Sequence, residues 1–152
     1  MNAHVKPRMT EADAKRIAIS IIPDLQKHAA KAEELRHVPR ECVDLLISNG
    51  LLQTIQPAAC GGHELSMRSH VDVMSNVAYG CGATAWVLGV WQAHSWMFGH
   101  ANEQFQKDVY ADGGEHPVSA VIGPRGKATR KADGSYTLSG FWPFASGNIH
   151  CE

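Results

Sequence analysis

The 152-residue sequence carries almost no net charge, with 14 Lys+Arg against 15 Asp+Glu for a formal −1. It lacks the basic cluster needed to neutralise nucleic-acid phosphates, which argues against a nucleic-acid partner. Cysteine is sparse. Cys42, Cys60, Cys81 and Cys151 lie far apart with no C-x-x-C pair, so nothing resembles a zinc ribbon, a dithiol redox motif or a disulfide scaffold. Long apolar runs are also missing. The most apolar stretch, residues 83–99, is interrupted by Gln92, His94 and Ser95 and suits a buried helix better than a membrane span. The polar start MNAHVKPRMTEADAKR lacks the apolar core of a signal peptide. These absences predict a cytoplasmic protein with reduced thiols and no membrane partner.

Several catalytic signatures are absent as well. There is no G-x-G-x-x-G, no G-x-x-x-x-G-K-[ST] and no G-x-S-x-G, so nicotinamide fingerprints, phosphate loops and nucleophile elbows are not expected. Gly61-Gly62 and Gly123-Pro124-Arg125-Gly126 read as turns. The nine histidines include no i, i+4 pair and no H-E-x-x-H, and no metal is expected.

What is present is ordinary for a globular chain: 44% hydrophobic and 19% charged residues. Thr10 and Asp13 resemble a capping box, followed by Ala14, Ile17, Ala18, Ile21, Leu25 and Ala29 at helical spacing. Pro23 should interrupt that helix. Pro39 opens a second, with Val43, Leu46 and Ile47 on its apolar face and Asn49-Gly50 closing it. Residues 51–56 look extended. Ser66 caps a third helix bearing Val71, Met74 and Ala78, and Gly80-Cys81-Gly82 ends it. A fourth helix, about Thr84 to His100, is apolar on nearly every side and should run through the interior. Asn102 caps a short fifth, ending near Asp112-Gly113-Gly114.

The pattern then changes. Residues 118–122 and 126–131 read as strands, and Asp133-Gly134 as a hairpin turn leading into the alternating Tyr136-Thr137-Leu138-Ser139-Gly140. The expected fold class is α+β: an all-α domain over residues 1–114, then the start of an antiparallel β-domain over 115–152.

Two constellations can carry chemistry. On the fourth helix Trp86, Val90 and His94 are read as one stripe. A histidine among aromatics is either a satisfied core residue or a neutral general base, since burial lowers an imidazole pKa. The second is Gly140-Phe141-Trp142-Pro143-Phe144-Ala145-Ser146-Gly147. Its aromatics can wall a flat heteroaromatic ring, with a hydrogen bond from Ser146 and close backbone approach at Gly147, or it is a core strand and turn.

The order of these segments resembles the N-terminal part of flavin-dependent monooxygenase oxygenase components with the acyl-CoA dehydrogenase fold. That group includes the 4-hydroxyphenylacetate and secosteroid-phenol hydroxylases. The matching residues are Asn49-Gly50-Leu51, Pro57, Gly61-Gly62, Ala83-Thr84-Ala85-Trp86-Val87 with His94, residues 123–128, residues 134–140, and Trp142-Pro143-Phe144-Ala145-Ser146-Gly147. W-x-F-x-S-G after G-x-Y-x-L-x-G is the sharpest.

The resemblance implies an aromatic hydroxylase whose separate reductase supplies reduced FMN or FAD, which reacts with O2 to a C4a-hydroperoxyflavin that hydroxylates a phenol. It implies Ser146 near flavin N5, Trp142, Phe144, Gly147 and Ile122 at the flavin, and Trp86, His94 and Ala120 at the substrate, with His94 and Ser146 catalytic. Relatives often carry small hydroxyl residues where Ala120-Val121-Ile122 stand here, with only Ser119 upstream. The family continues past this point through the rest of a β-domain and a C-terminal helical bundle, and assembles as a homotetramer. Two alternatives stand beside this reading. One is an acyl-CoA dehydrogenase-like flavin oxidoreductase; the other is a non-catalytic fragment that associates through open strand edges.

Overall fold

The computed structural model describes residues 8–151. Residues 1–7 of the polar start, with His4, and Glu152 lie outside the described residues. Helix α1 (Glu11–Ser20) begins at the expected capping box: the Thr10 hydroxyl accepts from Asp13 N–H, and the Asp13 carboxylate accepts from Thr10 N–H. Pro23 acts as expected, because it cannot donate to the preceding turn. The chain breaks at Ile21, and Pro23 sits in the first turn of α2 (Ile22–Leu35). Helix α3 (Arg40–Ser48) starts after Pro39 and ends at Asn49, with Gly50 left-handed at φ +68°.

Helices α4 (Met67–Gly80) and α5 (Gly82–Phe98) pack on each other, joined only by the extended Cys81. Helix α4 also covers α1 and α2. Ser66 caps it as predicted, accepting from Ser69 N–H. The buried face is not the predicted one: Val73, Val77 and Gly80 are buried, whereas Val71 and Ala78 are exposed. Gly80 faces α2, where a Cβ would press on Leu25. The packing partner, rather than apolar content alone, selects the stripe. The core joins Leu25, Leu46, Leu51, Val73, Val77, Leu88 and Trp91.

Two further expectations are corrected. Residues 51–56 are not a strand. They are buried, with a 3-10 turn at Leu51–Gln53, and their carbonyls accept from the backbone of 63–65. Helix α5 is not interior on every side: Leu88, Trp91, Gln92, His94 and Ser95 are buried, but Trp86 is 65% exposed and Trp96 41%. Short helix α6 (Glu103–Val109) starts at Asn102, whose side chain accepts from Phe105 N–H.

Strands β1 (Gly126–Arg130) and β2 (Tyr136–Gly140) form an antiparallel hairpin in which Ala128 faces Leu138. Gly134 makes the turn at φ +87°. Both strands are exposed on both faces, so their alternation buries neither. Residues 118–122, expected as a strand, pair with no strand among the described residues; Ala120 N–H donates instead to His94 of α5. The architecture is thus a helical N-terminal part followed by a small antiparallel sheet.

Candidate functional site

Helix α5 and the segment after β2 are far apart in sequence, yet the fold stitches them together. The Trp86 indole N–H points at the Ser146 hydroxyl at 3.4 Å. The Ser119 hydroxyl donates to the Ser146 carbonyl at 3.1 Å. One residue on, Ala120 N–H donates to His94 Nδ1 at 3.1 Å. The 118–120 segment thereby bridges His94 to Ser146. Gly147 allows this approach: at φ +76°, a Cβ there would lie 2.6 Å from both Trp91 Nε1 and Val87 Cγ1.

His94 is buried, and burial holds its pKa below the ordinary value, partly offset by the Val118 backbone. Because Nδ1 accepts an N–H, the ring is the neutral tautomer with its proton on Nε2. Trp86 and His94 do not share a stripe. Eight residues at about 100° each overshoot two turns by about 80°, which leaves Trp86 outward and His94 inward.

Beyond β2 the aromatics part ways. Trp142 is half-buried, its ring covering Gly126 and Gly140, where any Cβ would collide with it. Phe144 is 91% exposed and takes a left-handed backbone, φ +66°, which is costly for an aromatic residue. Ile122 and Phe141 are each 77% exposed. The Phe144, Ile122 and Phe141 side chains therefore lie open to solvent.

A cleft of about 640 Å³ opens between the end of α2, the start of α5 and the turn after Ser146. Its apolar walls are Ala32, Val38, Ala83, Trp86, Val87 and Ile149. Its polar groups are Arg36, His37, Ser146, Asn148 and His150, with the Gly147 backbone. His150 Nε2 donates to the Val38 carbonyl at 2.7 Å and its ring meets the Trp91 ring in a T-shape, tying the turn after Ser146 to the α2–α3 link and to α5. Trp86, Ser146 and Gly147 line this cleft. His94, Ala120, Ile122, Trp142 and Phe144 do not.

Residues 21–112 match the family described as "Acyl-CoA dehydrogenase, N-terminal domain". The chain belongs to that family. Its relatives are oxygenase components. It is 29% identical, over 88% of its length, to the flavin-dependent monooxygenase oxygenase subunit HsaA of Rhodococcus jostii (strain RHA1), covering 35% of that protein. It is 31% identical, over 97% of its length, to the FADH(2)-dependent resorcinol hydroxylase oxygenase component of Rhizobium sp. (strain MTP-10005), covering 36% of it. The crystal structure of 3-HSA hydroxylase from Rhodococcus sp. RHA1 superposes with a TM-score of 0.84 at 27% identity, covering 91% of this chain and 36% of that one. The chain therefore spans about a third of the length of the relatives it matches.

Within this family frame, the sequence reading missed Arg36, His37 and His150. Arg36 and His37 lie more than 100 residues from His150 along the chain and meet it only through the fold. The one local signal was His150, three residues after Gly147. Among the described residues, no group of three or more His, Cys, Asp or Glu could hold a metal, and no helix is long and apolar enough to cross a membrane.

Proposed function

We propose that this chain is the N-terminal part of the oxygenase component of a two-component, flavin-dependent aromatic hydroxylase acting on a phenol-type substrate with O2. The observation that carries the reading is the hydrogen-bonded junction of α5 with the Ser146 turn, where Trp86, Ser146 and, through Ala120, His94 converge. A separate reductase supplies the reduced flavin. FAD is the favoured form, because the similar resorcinol hydroxylase is FADH(2)-dependent, with FMN the alternative. Four free cysteines suit a cytoplasmic setting, and a homotetramer is the proposed assembly. The helical domain is taken to end near residue 114, with the β-domain starting at 115.

The residues fit a flavin. Exposed Phe144 and Ile122, with half-buried Trp142, offer apolar contact to a flat ring, and Ser146 offers a hydrogen bond. When bound, reduced flavin supplies the electrons that activate O2. Gly147 lets backbone approach closely, and the aromatic residues would cover the face of a bound ring. Trp86 and Ala120 flank the phenol. His94, kept neutral by burial, accepts the phenol proton at Nδ1 in exchange for the Ala120 N–H, raising electron density on the ring.

The test supplies reduced FAD or FMN, O2 and a panel of phenols, and measures hydroxylated product and flavin oxidation. Product at the expense of reduced flavin is expected; no product with any phenol overturns the reading. His94→Asn keeps an acceptor for Ala120 N–H but removes the base. It should lower product by about a hundredfold or more while flavin oxidation continues. Parallel loss of both would assign His94 a structural role.

A further inference from the structure

We propose that Ser119 is a positioning residue that passes the state of His94 to the Ser146 turn, so that displacing the Ala120 N–H from the imidazole re-aims the Ser146 hydroxyl. This deepens the hydroxylase reading above and rests on it for its purpose, since there His94 serves the phenol and Ser146 the flavin.

Three bonds in series carry the argument. His94 Nδ1 accepts the Ala120 N–H at 3.1 Å. One residue earlier, the Ser119 hydroxyl donates to the Ser146 carbonyl at 3.1 Å, across 27 residues of chain. The Ser146 hydroxyl in turn faces the Trp86 indole N–H at 3.4 Å. Among the described residues, the Ser119 hydroxyl is the sole donor to the Ser146 carbonyl. The link is anchored on both sides. Pro117 and Val118 are buried just before it. The Ser146 turn closes on itself, with Asn148 N–H donating to the Ala145 carbonyl and His150 N–H to that of Gly147. Ser119 and Ala120, both half-buried, are the part left to shift.

The chemistry at His94 supplies the trigger. Nδ1 of a neutral imidazole has one lone pair, so it holds either the Ala120 N–H or a proton. When the ring takes a proton, the amide loses its acceptor, and an unpaired N–H away from water is costly enough to turn the segment toward another partner. The planar peptide between Ser119 and Ala120 carries that turn to Ser119, and the Ser119 hydroxyl carries it to Ser146. Coupling between two sites needs an element with two arrangements that both sites bias; residues 119–120 are that element.

The test uses the full chain without flavin or phenol, with acid standing in for the phenol proton. Proton–nitrogen correlation spectra follow the Trp86 indole N–H, assigned with Trp86→Phe, from pH 8 down through the His94 midpoint, which the imidazole resonances give. Other groups titrate nearby. Asp108, His116 and Cys151 line the cleft against Val118 and Ser119, and His37 and His150 share a cleft with Trp86, beside the constant charge of Arg36. His94→Asn keeps an acceptor and removes the titration, so the step it abolishes is the one that belongs to His94. In wild type, the Trp86 signal should show that step. Ser119→Ala should lose it while the steps of the other groups remain, and Ser119→Thr, which restores the hydroxyl, should bring it back. A residue that only packs would leave the step intact on removal of its hydroxyl. No His94 step in wild type, a step that survives Ser119→Ala, or one that Ser119→Thr fails to restore overturns the proposal. The two readings fail separately. The step without hydroxylated product from any phenol sinks only the hydroxylase; product without the step sinks only the Ser119 link.

Discussion

His94 shows how one contact decides between two chemistries. Its Nδ1 holds the Ala120 N–H, a bond that requires a neutral ring. Burial lowers its folded pKa, so protonation favours the unfolded chain, where the value is near 6.5. The His94 contribution to stability is therefore full above about pH 6.5 and is lost as pH falls from there through the depressed folded value. Thermal melts at pH 8 and pH 5 check this. Wild type should lose more Tm on acidification than His94→Asn, which keeps the acceptor without the titration; equal losses would place the pH sensitivity elsewhere. The histidine and its neighbours were legible as candidates in the sequence. Its partner was not, because Ala120 offers only a backbone N–H, and no side-chain pattern advertises that.

Helix α4 carries the corresponding lesson for an element. Its cap at Ser66 and its end before Cys81 follow from local chemistry. Its buried face does not. Val71, Val73 and Val77 are all candidates by hydrophobicity, and the packing on α2 and α5 chose the last two. Urea denaturation separates them: Val77→Ala should cost about 1–3 kcal/mol, and Val71→Ala should stay within about 0.5 kcal/mol. A reversed order would mean that α4 is rotated. Helix α5 erred the other way. Its apolar residues predicted burial all round, yet Trp86 and Trp96 face outward. Trp86 lines the cleft, which makes its exposure part of the proposed site.

At the scale of the molecule, two regions differ in how they are held. The helices share one core around Leu25, Leu88 and Trp91, whereas the β1–β2 hairpin is exposed on both faces. A lone two-stranded hairpin is marginal in water. Hydrogen exchange should reflect this, with hairpin amides exchanging well before those of α4 and the buried half of α5. Protection of the hairpin equal to that of α4 would show that another surface covers it. Exposed Tyr136, Leu138 and Phe141 are suited to such a covering surface.

The sequence by itself determined the helix boundaries at Thr10, Pro23, Gly50, Ser66 and Asn102, the hairpin turn at Gly134, and the family resemblance. Caps, turns and breaks depend on backbone chemistry within a few residues, so a linear reading captures them. Only the tertiary structure decided which face of α4 is buried, that residues 51–56 curl instead of extending, and that Arg36 and His37 meet Ser146 and His150. Those outcomes depend on which surfaces meet, from nearby in the chain for residues 51–56 to more than 100 residues away for His37 and His150, and each was settled by packing partners outside the segment itself.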